Sequence, residues 1–110
     1  MTEDSTRYVW IFVGKNASFP SGVFTSKVNA QEWIIQNRLE GVLTRYPVDI
    51  PVYDWAIKRG TFSPRKDKHH YSEFIASFSS ASQEHYHYEI IGDEYRYDLD
   101  DKSVSIKLDE

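Results

Sequence analysis

The stretch Arg7–Gly14 (RYVWIFVG) limits what this chain can fold into more than any other. Successive side chains of a strand point to opposite faces. Tyr8, Trp10 and Phe12 would share one face, and Val9, Ile11 and Val13 the other. Both faces are apolar, so both call for cover, as in a central strand. A run this short could also be a buried helix, but its β-branched and aromatic residues and the closing Gly14 favour a strand. The expectation is a central strand with helices on one side and a second layer or long loops on the other.

One hundred and ten residues suit one domain, with a single core, over residues 1–110. Residues 1–6 are polar and are expected to be disordered. No cysteine is present, which excludes disulfides and thiolate zinc sites and is compatible with a reducing cytosol. The start MTEDSTR lacks a basic segment followed by an apolar run, so no signal peptide is expected. No stretch approaches the ~20 apolar residues of a membrane span. A cytoplasmic location without a membrane partner follows as the expectation.

The formal charge is −4, and its distribution matters more than its size. Residues 7–83 carry ten Lys/Arg against six Asp/Glu, whereas residues 84–110 carry three against nine. An acidic final quarter repels nucleic acid and attracts basic partners, or simply keeps the chain soluble. Lys58, Arg59, Arg65, Lys66 and Lys68 could touch phosphates, but aromatic rings do not interleave with them. No nucleic-acid partner is expected.

The remaining elements follow from local signals. Gly22–Ser26 is a short β-branched strand antiparallel to the first. A helix capped by Ser26 or Asn29 runs to about Leu39, with Ala30, Trp33, Ile34 and Asn37 on one stripe and Gly41 as its left-handed stop. Val42–Tyr46 is a third strand, ended by Pro47. Tyr53–Ile57 and Ser72–Phe78 are short helices, the second with Phe74, Ile75 and Phe78 on one face. The polar, basic loop at residues 62–70 separates them. Gly92-Asp93 suits a two-residue hairpin turn. Folding there sets Ile90 against Tyr95, Tyr88 against Tyr97 and Tyr86 against Leu99 on an aromatic face. Glu89 then meets Arg96, His87 meets Asp98 and His85 meets Asp100 on a charged face. Val104, Ile106 and Leu108 alternate and could add an edge strand. The fold class is therefore α+β: an antiparallel sheet of four to five strands, one main helix and two short ones.

Two constellations bear on chemistry. His85-x-His87-x-Glu89 places three metal-ligand types on one strand face, and a polar sheet face explains them equally well. Ser77, Ser79, Ser80 and Ser82 lie near His85, but no glycine elbow frames a nucleophile, and serines before a strand commonly form turns. A non-enzymatic protein without cofactor is expected.

Several blocks occur in a familiar order: Trp10–Gly14 (WIFVG), Ser21–Phe24 (SGVF), Ala30…Trp33-Ile34, Leu43–Pro47 (LTRYP), Tyr53–Ile57 (YDWAI), and Ser80–His85 (SASQEH) with His87-Tyr88. Over about residues 9–89 the chain resembles a family of small single-domain bacterial proteins of mostly unassigned function. YDWA and SASQEH are the most specific blocks. The resemblance implies an immunity protein, one that neutralises a toxin domain delivered by contact-dependent growth inhibition. An acidic, tyrosine-bearing hairpin would suit a basic toxin cleft, such as that of a nuclease. Glu89, Asp93, Glu94, Asp98, Asp100 and Asp101 are the expected partner-binding residues. The rival reading is a small metal-binding protein or enzyme using His85, His87 and Glu89.

Overall fold

The computed structural model describes residues 5–108. The expectation of disorder for residues 1–6 lies outside the described residues for residues 1–4. The strands are β1 (Tyr8–Gly14), β2 (Pro20–Phe24), β3 (Gly41–Pro47), β4 (His85–Ile91), β5 (Glu94–Leu99) and β6 (Lys102–Lys107). The helices are α1 (Lys27–Gln36), α2 (Val52–Lys58) and α3 (Ser72–Ala76), with a 3-10 turn at Asp67–His70. The strand order is β2-β1-β3-β4-β5-β6, antiparallel throughout. The class α+β holds, but the sheet has six strands among the described residues rather than four to five. The sixth, KSVSIK, carries few apolar residues because only one of its faces meets the core.

The register settles which face is covered. Seven strand residues are buried: Trp10, Phe12, Leu43, Pro47, Tyr86, Tyr88 and Tyr95. Cross-strand pairing puts all seven on the same side, which we call the inner face. Helix α1 lies there and contributes Ala30 and Ile34, both 0% exposed. Trp33 packs edge-on against Phe12 at 5.8 Å and beside Phe24 at 5.6 Å, and aromatic pairs at this spacing add to area burial.

Both ends of α1 are specified locally. The Ser26 hydroxyl accepts the Asn29 N–H at 3.1 Å, so Ser26 is the cap and Asn29 is inside the helix. The C-terminal stop is Arg38 rather than Gly41. Arg38 takes φ +52°, and the Leu39 N–H reaches the Ile34 carbonyl at 3.0 Å, a Schellman closure without glycine. Gly41 serves a different need. A Cβ there would meet the Val13 carbonyl oxygen at 2.3 Å, so only glycine lets β1 and β3 approach.

β3 and β4 pair antiparallel through Thr44 and His85, so the chain leaves and re-enters the sheet at one end. Residues 48–84 must therefore form a lobe at that end. This accounts for a radius of gyration of 16.3 Å, against ~13 Å for a compact chain of this length. The lobe has its own aromatic cluster of Tyr53, Phe62, Phe74 and Phe78, with centroids 4.8–6.4 Å apart. Ile75, expected on the packed face of α3, is exposed instead, because that helix ends at Ala76 after little more than a turn.

Candidate partner-binding face

The outer face of the sheet has no layer over it among the described residues. Val9, Ile11, Val13, Val42, Thr44 and Tyr46 are half-buried, and Val23 is 63% exposed. No residue of this face on any strand is buried. The expected second layer is thus absent here: α1 covers the inner face, and the lobe goes to the sheet's end. The face divides in two. β2, β1 and β3 present aliphatic side chains with Thr44 and Tyr46. β4, β5 and β6 present His85, His87, Glu89 and Ile91, then Glu94, Arg96 and Asp98, then serines and Lys107.

The hairpin forms partly as the sequence suggests. Ile90 pairs with Tyr95, Glu89 with Arg96 and Tyr88 with Tyr97. The ladder then stops, and the expected pairs Tyr86–Leu99, His87–Asp98 and His85–Asp100 do not form. Two side chains explain this. The Asp98 carboxylate, not its backbone, accepts the His87 N–H at 3.1 Å. Asp100 is drawn to Lys27, whose Nζ donates to it at 3.1 Å.

The six expected carboxylates do not form one patch. Glu89, Glu94 and Asp98 share the outer face. Asp93 sits in the β4–β5 turn, and Asp100 and Asp101 in the β5–β6 turn, about 20 Å away along β5. Most are engaged within the chain. Asp93 pairs with Lys107 at 3.0 Å. Glu94 accepts from the Ser105 hydroxyl and from Arg96, and these bonds hold its pKa below the ordinary value. Glu89 and Asp101 alone of the six make no hydrogen bond or ion pair among the described residues. The face is therefore less negative than the composition suggests.

Lys27 is the residue that sequence reasoning missed. Its Nζ donates to the Tyr86 hydroxyl at 3.0 Å and to Asp100, and lies 3.5 Å from Glu84. It also sits 4.7 Å from the centre of the Tyr86 ring. The Tyr86 hydroxyl donates to Glu84. The Tyr86 bond, opposed by burial and aided by Asp100, raises the Lys27 pKa well above its usual value. Burial, and then the bond to Glu84, raises that of Tyr86. The cluster pins the start of α1 to β4 and to the β5–β6 turn. Its partners lie 59 and 73 residues away in sequence, beyond any spacing signal.

The metal and nucleophile constellations are not assembled as the sequence allowed. No three His, Cys, Asp or Glu side chains converge on an ion position among the described residues. Glu89 stands four strand residues, about 13 Å, beyond His85. His85 and His87 do come together, with ring centroids 5.2 Å apart. The serines bond elsewhere: Ser80 with Ser82 at 2.6 Å, Ser82 with Thr61 at 3.3 Å, and Ser77 with the Glu73 carbonyl at 2.8 Å.

The two most specific sequence blocks tie the lobe to the sheet. In SASQEH, buried Gln83 accepts the Ser80 N–H and donates to the Arg45 carbonyl at 3.1 Å. In YDWA, the Tyr53 hydroxyl donates to the His69 carbonyl at 2.8 Å, and the Trp55 indole to the Tyr8 hydroxyl at 3.3 Å. Ala56 is fully buried. These contacts hold the lobe against β1 and β3.

The molecule is thus an α+β domain with one covered and one uncovered sheet face, and no helix among the described residues is long and apolar enough to cross a membrane. Residues 9–93 match the family described as Domain of unknown function (DUF7710), and the chain belongs to that family. The match ends in the Gly92-Asp93 turn, so β5 and β6 lie beyond it. No curated protein and no solved structure matches the chain.

Proposed function

We propose that this protein is a non-enzymatic inhibitor of the immunity type, which binds and neutralises a toxin domain in the cytoplasm. The uncovered outer face carries the reading. A half-buried aliphatic strip that no described element covers suits a protein-binding surface. The strip formed by β2, β1 and β3 is about 14 Å wide and 20 Å long, roughly 300 Å². A stable interface buries about 800 Å² per partner. The partner must therefore also cover β4 and β5, where Glu89 and Asp98 are the carboxylates without an internal cation. A toxin domain with an apolar centre and a basic rim, as around a nuclease cleft, meets both requirements. The system that fits the family resemblance is contact-dependent growth inhibition.

The test is co-purification with the product of the adjacent gene, followed by titration calorimetry with that toxin domain. Ile11→Lys puts a cation in the half-buried strip, where a lysine stem can still reach water in the unbound protein. It is expected to weaken binding by about 30-fold or more, the loss of one hot spot. Glu89→Lys should mainly slow association, and more so at low salt. Unchanged affinity in both variants, or no co-purification, would refute the proposal.

A further inference from the structure

The outer face holds a second arrangement, independent of the toxin reading. His85 and His87 are both exposed, project from the same side of β4 and have ring centroids 5.2 Å apart. The strand under them is fixed by pairing on the β3 side, His87 opposite Val42 and His85 opposite Thr44. The His85 Nδ1 lies 2.7 Å from the Gln83 carbonyl oxygen. A carbonyl only accepts, so Nδ1 carries a proton, and in the neutral ring Nε2 is the nitrogen with the lone pair. This is the outer-shell hydrogen bond that orients histidine ligands in metal sites. The His87 ring makes no hydrogen bond among the described residues, leaving its nitrogens available.

The spacing agrees with chelation. Imidazole nitrogens bind zinc at about 2.0–2.1 Å, and two rings sharing one ion at a tetrahedral angle have centres about 5 Å apart. We propose that His85 and His87 form a two-imidazole site for a borderline divalent transition-metal ion, Zn(II) or Cu(II). Water closes the remaining positions, because no carboxylate or third imidazole converges there among the described residues. Neutral imidazole ligands select such ions over Mg(II) or Ca(II), which need oxygen donors.

The experiment is an NMR titration of the full chain with ZnCl₂, following the ring signals of all four histidines. His85 and His87 are expected to shift together on one saturable isotherm of 1:1 stoichiometry, before His69 and His70. His85→Ala and His87→Ala should each weaken zinc binding at least tenfold, and His70→Ala less than twofold. MgCl₂ at the same concentration should shift neither ring. Zinc should also raise the melting temperature of the wild type, in proportion to the logarithm of its concentration, but not that of the double variant. Independent weak responses from all four histidines, or single variants that bind as tightly as wild type, would overturn the site.

Discussion

Two buried tyrosines in the core carry the same atoms but different obligations. The Tyr95 hydroxyl donates to the Leu39 carbonyl at 2.6 Å, just past the end of α1. Tyr95→Phe strands that partly buried carbonyl and is expected to cost about 1–2 kcal/mol in urea denaturation. The Tyr88 hydroxyl and the Gln31 amide nitrogen are buried without a hydrogen bond of good geometry, although Gln31 partly offsets the upward push of burial on the Tyr88 pKa. Tyr88→Phe is therefore expected to stay within about 0.5 kcal/mol of wild type. Equal costs for the two variants would contradict this reading of the core. At Gly41 the geometry is less forgiving. A methyl group would collide with the backbone of β1, so Gly41→Ala should lose about 2–4 kcal/mol, read from the denaturation midpoint.

The lobe depends on a neutral histidine. The His69 Nδ1 accepts the N–H groups of Arg65 and Lys66 at 3.1 and 3.3 Å, while its ring lies against Phe62 and Phe74. Burial first, then Lys68, Lys66 and His70, lower its pKa below 6.5. A base whose folded pKa is depressed binds more protons when unfolded, so folding is favoured above pH 6.5 and loses that contribution as pH falls. Amide hydrogen exchange in residues 62–78, corrected for its intrinsic pH dependence, should show weaker protection at pH 5.5 than at pH 7.5, with β1 as the unchanged reference. His69→Phe should abolish the difference. The Lys27 cluster makes a parallel case at the other junction. Lys27→Met is expected to loosen β5–β6 by about 0.5–1 kcal/mol, the range for partly exposed ion pairs, with β1–β3 unaffected. Sequence signals reached the elements unevenly. The Gly92-Asp93 turn and the pairs beside it were legible because turn chemistry and alternation agree. The lower hairpin was not, because Asp98 and Asp100 are claimed by a backbone amide and by a lysine from another element.

For the whole molecule, the sequence made the central strand and the α+β class plain. Alternation in Val9–Val13 showed that the second face is apolar, but periodicity cannot say what covers a face. Here no described element does, and three of the six carboxylates that composition singled out are ion-paired within the chain. Both facts move the expected interface from the tail to the outer face of the sheet. The direct measurement is methyl and amide NMR mapping of the labelled protein titrated with its cognate toxin domain. Perturbations should centre on the methyls of Val9, Ile11, Val13 and Val42 and extend to Glu89. Changes confined to α1, to the lobe or to the β5–β6 turn would contradict it.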